Sequence, residues 1–147
     1  MSGRAERLER LLAIRRLSEN LDRRTLEVAL ASVAEVEAGL ARQEAALAES
    51  RVTGRTALSN GERGEWLMAD AQGEVAGWNR VRLRGLLRVR SDEAAAAMQR
   101  FLESRREHEQ VKQLVENARQ VAYEEEGRRA QAAADDWFLS RRSRLTD

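Results

Sequence analysis

The sequence predicts an all-α protein: a single antiparallel two-helix coiled-coil hairpin whose second helix is the longer one. The chain has no proline and is 35% charged and 4% aromatic, and Ala, Leu, Glu and Arg dominate it, as is typical of long helices. Apolar residues recur in steps of three and four along two stretches, which indicates two amphipathic helices. Only one cluster of helix breakers, near residues 54–61, separates these stretches.

The first helix is predicted over about residues 4–53. A helix–helix seam, meaning the row of side chains that faces the other helix, is expected on one side of it. The spacing 33-36-40-47 fits a heptad, whereas the interval from 21 to 33 needs extra steps of four and predicts a stutter. The predicted seam residues are Leu8, Leu11, Ile14, Leu17, Leu21, Val28 or Ala29, Val33, Val36, Leu40 and Leu47.

The bend is predicted at about residues 54–60. Gly54 is expected to close the first helix in a left-handed conformation. Ser59, followed three residues later by Glu62, predicts a capping box at the start of the second helix. An alternative extends the first helix to Leu58 and uses Gly61 as its C-cap. A bend centred near residue 56 or 57 places Val36 near Trp78 and Leu47 near Trp66.

The second helix is predicted over about residues 61–142. Because it outruns the first, residues beyond about 115 are expected to lack an internal partner, although apolar side chains continue to the end. An outside partner is therefore expected for this overhang. The predicted seam comprises Leu67, Ala71, Val75, Trp78, Leu86, Val89, Phe101, Ser104, His108, Val111, Val115, Ala118 and Ala122.

The residues give no sign of catalysis, and no cofactor or metal is expected. His108 is the single histidine, and a metalloprotease helix would need a second one where Lys112 stands. A seam position explains His108 better. The glycine-containing bend lacks the Gly-Lys-Ser/Thr of a phosphate loop. There is no cysteine for a disulfide or a metal site.

Two charged segments allow more than one interpretation. Residues 79–90, NRVRLRGLLRVR, hold five arginines and no acid. They fit either interhelical ion pairs with Glu27 and Glu35 or a basic patch for nucleic acid, and the net charge of +1 favours the ion pairs. The segment DDWFLSRRSR combines Trp, Phe and Arg, the types enriched at binding hot spots. Its alternative is a frayed terminus.

No stretch approaches the roughly 20 apolar residues that cross a bilayer, and the first residues lack the apolar region of a signal peptide. We therefore expect a cytosolic protein without direct membrane insertion.

Four stretches resemble the FliJ family of flagellar export proteins: LLAIRRLSENLDRR, GERGEWLMADAQGEVAGWNR, ESRREHEQVKQLVENA and DDWFLSRR. The stalk proteins of virulence type III secretion systems are similar, less closely. The resemblance implies a non-enzymatic central stalk that activates a hexameric export ATPase. It also implies contacts with the membrane export gate and with export chaperones, at the inner face of the cell membrane at the flagellar base.

The resemblance also implies binding residues. The end that holds both termini would enter the ATPase ring, which here corresponds to Arg15, Arg16, Arg23, Arg24, Trp137, Phe138, Arg141 and Arg142. The gate-binding surface would lie around residues 66–83, where this sequence has Gln72, Ala76, Asn79 and Leu83. A virulence-system stalk and a generic coiled-coil scaffold are the alternatives to a flagellar stalk.

Overall fold

The computed structural model describes residues 3–146, which form two α-helices. Helix α1 runs Gly3–Ser59 over 57 residues, and helix α2 runs Arg63–Thr146 over 84 residues. The two helices pack against each other and the described part of the chain contains no strand, so the predicted all-α hairpin with a longer second helix is confirmed. Strong helix formers and the lack of proline explain why each helix continues for so long.

The bend is shorter than predicted and lies later in the chain. Gly61, at φ +73°, is the one described residue in the left-handed region. Its N–H donates to the carbonyl of Leu58 over 3.2 Å, and the N–H of Glu62 donates to the carbonyl of Ala57 over 2.9 Å. These two bonds form a Schellman motif that ends α1. The alternative that uses Gly61 as the C-cap is therefore correct.

The prediction that Gly54 ends the first helix is wrong, because Gly54 lies inside α1. The predicted capping box is also absent. The Ser59 hydroxyl donates backwards to the carbonyl of Arg55 over 3.1 Å, and α2 starts when the N–H of Trp66 donates to the carbonyl of Glu62 over 3.1 Å. Glu62 is thus the residue that precedes α2, and the predicted bounds of 53 and 61 become 59 and 63.

The chain divides into two compact units. The bend unit is Asp22–Phe101, and the terminal unit is Met1–Leu21 together with Leu102–Asp147. Each unit contains a part of both helices, and each has its own buried seam.

The seam of the bend unit is made largely of small residues. On α2, the positions that face α1 advance by three and four through Trp66, Ala69, Gly73 and Ala76. A β-carbon on Gly73 would stand 2.9 Å from the Ser50 hydroxyl, so the two backbones approach closely here. The seam continues by the same steps through Arg80, Leu83, Leu87, Arg90, Ala94, Ala97 and Phe101, and Gly77 and Asn79 are half-buried as well.

This seam corrects the predicted register. The Trp66 ring contacts the position of Gly54 instead of Leu47. Trp78 does not face Val36, because it is 72% exposed whereas Val36 is buried. Of the apolar α2 residues predicted as seam in this unit, only Phe101 lies in it, and the exposed ones are Leu67, Ala71, Val75, Trp78, Leu86 and Val89.

The seam of the terminal unit confirms the predicted positions on α2, because Ser104, Val111 and Val115 are buried and His108 is half-buried. On α1 the prediction fails for Ile14, Leu17 and Leu21, which are exposed. The predicted Leu8 and Leu11 are half-buried, and further along α1 Leu12, Arg15 and the buried Glu19 take the seam positions instead. The predicted stutter between residues 21 and 33 is absent, because the buried and half-buried positions Asp22, Leu26, Ala29 and Val33 advance by four, three and four.

Candidate partner-binding surfaces

The last part of α2 is a single helix with no helix packed against it. From residue 123 to residue 146 every side chain is exposed, whereas Ala118 and Ala122 are half-buried and Val115 is buried. The predicted overhang therefore exists, but it starts near residue 123 instead of 115. Its stability comes from local contacts, such as the hydrogen bond from the Gln131 amide to Asp135 over 3.0 Å.

An aromatic cluster lies within this overhang. Trp137 and Phe138 are each 61% exposed, and Leu139 beside them is also exposed. The guanidinium of Arg141, one helical turn later, lies 5.2 Å from the centre of the Trp137 ring in a cation–π contact. The stacked pair presents a rigid apolar surface with a positive charge already in position.

The structure does not bring the predicted arginines of α1 to this cluster. Arg15 forms an ion pair with Glu107 at 2.6 Å, which lies 30 residues before Trp137 on α2, or about 45 Å along a helix. Arg16 is exposed in the same unit. Within the terminal unit, the predicted ATPase-binding residues Trp137, Phe138, Arg141 and Arg142 therefore lie together, apart from Arg15 and Arg16.

Arg23 and Arg24 belong to the bend unit. Arg23 stacks over the Phe101 ring at 5.6 Å from its centre, and Arg24 is exposed. Arg23 therefore already covers an aromatic side chain of its own chain, a role that its sequence position does not indicate.

A polar layer crosses the seam of the terminal unit. The Nδ1 atom of His108 forms a short hydrogen bond with the buried carboxylate of Glu19, while the Nε2 atom of His108 has no partner among the described residues. The predicted seam position of His108 is confirmed, and its Glu19 partner was missed because an acid is not expected in an apolar seam. A signal was available, since Glu19 precedes the buried Leu26 by one heptad.

A groove of about 700 Å³ lies beside the start of α1 in the terminal unit. Apolar side chains from both helices form its floor, including Leu8, Leu114 and Val121, and its rim carries charges of both signs. Next to it, Arg119 donates two hydrogen bonds to the Glu9 carboxylate, at 2.8 and 3.2 Å, which hold the start of α1 to α2.

The four predicted gate-binding residues fall on the side of α2 that faces α1. Ala76 is 4% exposed and Leu83 packs over Gly39, so both have structural roles in the seam and their prediction as partner contacts is corrected. The Asn79 amide lies 3.5 Å from the Gln43 side-chain oxygen at the edge of the seam, and Gln72 is exposed. Gln72 and Asn79 stay predictions.

The arginine segment 79–90 makes one interhelical ion pair, which is the type of contact predicted for it. Arg84 pairs with Glu44 at 3.8 Å. The predicted pairs with Glu27 and Glu35 are absent among the described residues. The later bend shifts the register and so changes the partner. Arg90 pairs within its own helix with Glu93 at 3.1 Å, and the buried Nε of Arg80 has no partner among the described residues.

Comparisons with known proteins add no relative: no protein-family model, curated protein or solved structure matches this chain. Within residues 3–146, no three or more acidic or histidine side chains are grouped so that they could hold a metal ion. Neither helix, over the same residues, has a segment with the length and apolarity needed to cross a membrane.

Proposed function

We propose that this protein is a stalk of the flagellar protein export apparatus that binds and activates a hexameric export ATPase. The observation that carries the proposal is the exposed aromatic cluster on the unpaired end of α2, where Trp137 and Phe138 stay 61% exposed. Exposed aromatic side chains beside arginine are typical of protein–protein contact sites. The resemblance of four sequence stretches to the FliJ family supplies the identity of the partner.

The cluster would act by filling pockets of the ATPase ring. Trp137 and Phe138 have few torsions to immobilise, and α2 already orders them, so little conformational entropy is lost on binding. Arg141 is held against the indole ring and adds a positive charge at the edge of the contact. Arg142 follows on the exposed helix and suits an acidic partner surface.

The proposal extends to coupling with the membrane export gate and to contact with export chaperones, at the inner face of the cell membrane at the flagellar base. For the gate, Gln72 and Asn79 remain the candidate contacts, because both are accessible at an edge of the helix pair. Ala76 and Leu83 lie in the seam beside that edge.

The test is co-purification with a flagellar export ATPase of the same organism, followed by titration of ATP hydrolysis. Replacing Trp137 and Phe138 together by alanine should weaken binding by about 2–4 kcal/mol, or roughly 30- to 1,000-fold. Stimulation of hydrolysis should fall with it. Helicity and melting should stay unchanged, since neither side chain contacts α1.

Tyr123→Ala is the matched control, because Tyr123 is an exposed aromatic side chain at the start of the same overhang and outside the cluster. It should stimulate hydrolysis like the wild type. Equal stimulation by the Trp137/Phe138 variant would contradict insertion of the cluster. Failure to bind any flagellar or virulence export ATPase would leave the chain a coiled-coil scaffold.

A further inference from the structure

The outer face of α2 in the bend unit is apolar along more than six helical turns. Leu67, Val75, Trp78, Val81 and Val89 point away from α1 and are all more than half exposed. Met68 and Ala71 lie on the same face and are exposed too. The α2 residues that face α1 in this unit are others, among them Ala69, Gly73 and Ala76, so this row of larger apolar side chains lies outside the seam. A solvent-facing stripe of this length indicates an interface.

The stripe is symmetric about Trp78. Val75 and Val81 lie three residues before and after Trp78, and the small Ala71 and Gly85 lie seven residues before and after it. Because seven residues make two helical turns, Ala71 and Gly85 lie on the same line of the helix as Trp78. Eleven residues on either side stand Leu67 and Val89.

The charges beside the stripe have the opposite symmetry. Glu74 lies four residues before Trp78, and Arg82 lies four residues after it. More broadly, residues 79–90 hold five arginines and no acid, whereas the preceding turns of α2 carry Glu65, Asp70 and Glu74. Glu74 and Arg82 are exposed, and neither forms an ion pair within the described part of the chain.

We infer that this stripe binds a second copy of the same chain, with the two α2 helices antiparallel and a two-fold axis at Trp78. In that arrangement Val75 faces Val81 of the other copy, and Glu74 faces Arg82 twice, once on each side of the axis. A parallel pairing would instead place arginines against arginines. A two-fold interface uses the same patch on both copies, and a surface must be self-complementary to serve this way.

The small residues make the pairing sterically reasonable. Ala71 of one copy meets Gly85 of the other, and a β-carbon on Gly85 has nothing within 4 Å in the single chain. The two helices can therefore approach closely at these points, and the two Trp78 rings fill the space at the axis. Residues 67–89 would be paired over about 34 Å.

The experiment is sedimentation equilibrium of the isolated chain over a wide concentration range. We expect the wild type to associate reversibly to a dimer. Trp78→Glu should abolish the dimer while helicity stays unchanged, because the side chain is outside the hairpin seam. Trp137→Glu is the control: it introduces the same change at an exposed tryptophan of the terminal unit and should leave the dimer intact.

Charge reversal tests the antiparallel geometry. Glu74→Arg and Arg82→Glu should each weaken the dimer by about tenfold, because each replaces two attractive pairs with two repulsive ones. An equimolar mixture of these two variants should recover wild-type association, since one chain then carries two arginines and the other two acids at the facing positions. High salt should reduce both the loss and the recovery.

Three results would overturn the inference. The first is a wild-type chain that stays monomeric at every concentration. If Trp78→Glu then also prevents binding of an export-gate fragment, the stripe is a binding site for that partner. The second is a dimer that Trp78→Glu does not affect. The third is a loss on charge reversal that mixing does not restore. None of these measurements uses the export ATPase, so they stand apart from the test of the proposed function.

Discussion

Two leucines on the same helix give a direct test of which face of α1 forms the seam. Leu26 is 7% exposed against α2, whereas Leu17 is 64% exposed on the opposite side, although the sequence pattern placed Leu17 in the seam. We expect Leu26→Ala to destabilise the protein and Leu17→Ala to leave its stability nearly unchanged. Both substitutions remove the same atoms and introduce the same good helix former, so helix propensity cancels in the comparison.

The expected magnitude follows from burial. Replacing a buried leucine by alanine costs about 2–5 kcal/mol, and the lower half of this range applies here because a two-helix seam can partly close over the lost volume. A cost of about 2–3 kcal/mol lowers the melting temperature of a chain of this size by roughly 5–10 °C. Leu17→Ala should change the unfolding free energy by less than about 0.5 kcal/mol.

Thermal and urea unfolding followed by circular dichroism at 222 nm would measure both changes. The same slope with urea concentration in all three proteins would show that stability changed and compactness did not. Equal destabilisation by the two substitutions, or a larger effect of Leu17→Ala, would refute the seam as described. It would mean that α1 is rotated so that the Ile14–Leu17–Leu21 face packs against α2.

Three further predictions concern the bend and the polar layer. Gly61→Ala should lower stability by about 1 kcal/mol, because a residue with a side chain is strained at φ +73°. The control Gly64→Ala lies inside α2 and should not lower stability, and thermal melts of the two variants make the comparison. A hydrogen bond with Glu65 and repulsion by the Glu65 charge raise the pKa of Glu62 above 4.5. The Glu62 carboxyl therefore favours the folded state only while it is protonated, and this contribution to stability is lost as pH rises through the raised pKa. Glu62→Gln should therefore melt at least as high as the wild type at pH 7, and this advantage should vanish below pH 4.5 in a pH series of melts. His108→Ala should cost about 1–3 kcal/mol, read from urea unfolding, because it removes the hydrogen bond that His108 makes with the buried Glu19 carboxylate.

The sequence sufficed for the fold class and for the existence of an overhang with an exposed Trp137 and Phe138, because helix periodicity and the lack of proline are local signals. It failed where the seam is not apolar. Gly73 and Ala76 face α1 while Val75 and Trp78 face solvent, so a search for large apolar residues selected the wrong side of α2. Burial depends on the partner helix, which no single stretch of sequence specifies.

The register error has the same origin. Gly54 and Gly61 are both plausible helix ends, and the sequence around Gly54 does not show that this position packs against the Trp66 ring inside α1. Of the two polar seam residues, the spacing predicts His108 correctly but not Glu19. An acid alone looks like an ordinary surface residue, and the hydrogen bond of Glu19 with His108 forms only across the two helices.

The unpaired end of α2 has a consequence for hydrogen exchange. Most helices in proteins are stabilised by packing against other elements, which residues 123–146 lack, and the paired part of α2 supplies the nucleus from which they continue as a helix. Gly127 stands near the root of this segment and weakens propagation by about 1 kcal/mol. The amides beyond Gly127 should therefore exchange rapidly and together, while those near Val111 and Val115 exchange slowly. A partner that binds Trp137 would slow exchange back to Gly127, which makes this glycine the boundary of the part of α2 whose local opening is suppressed by binding.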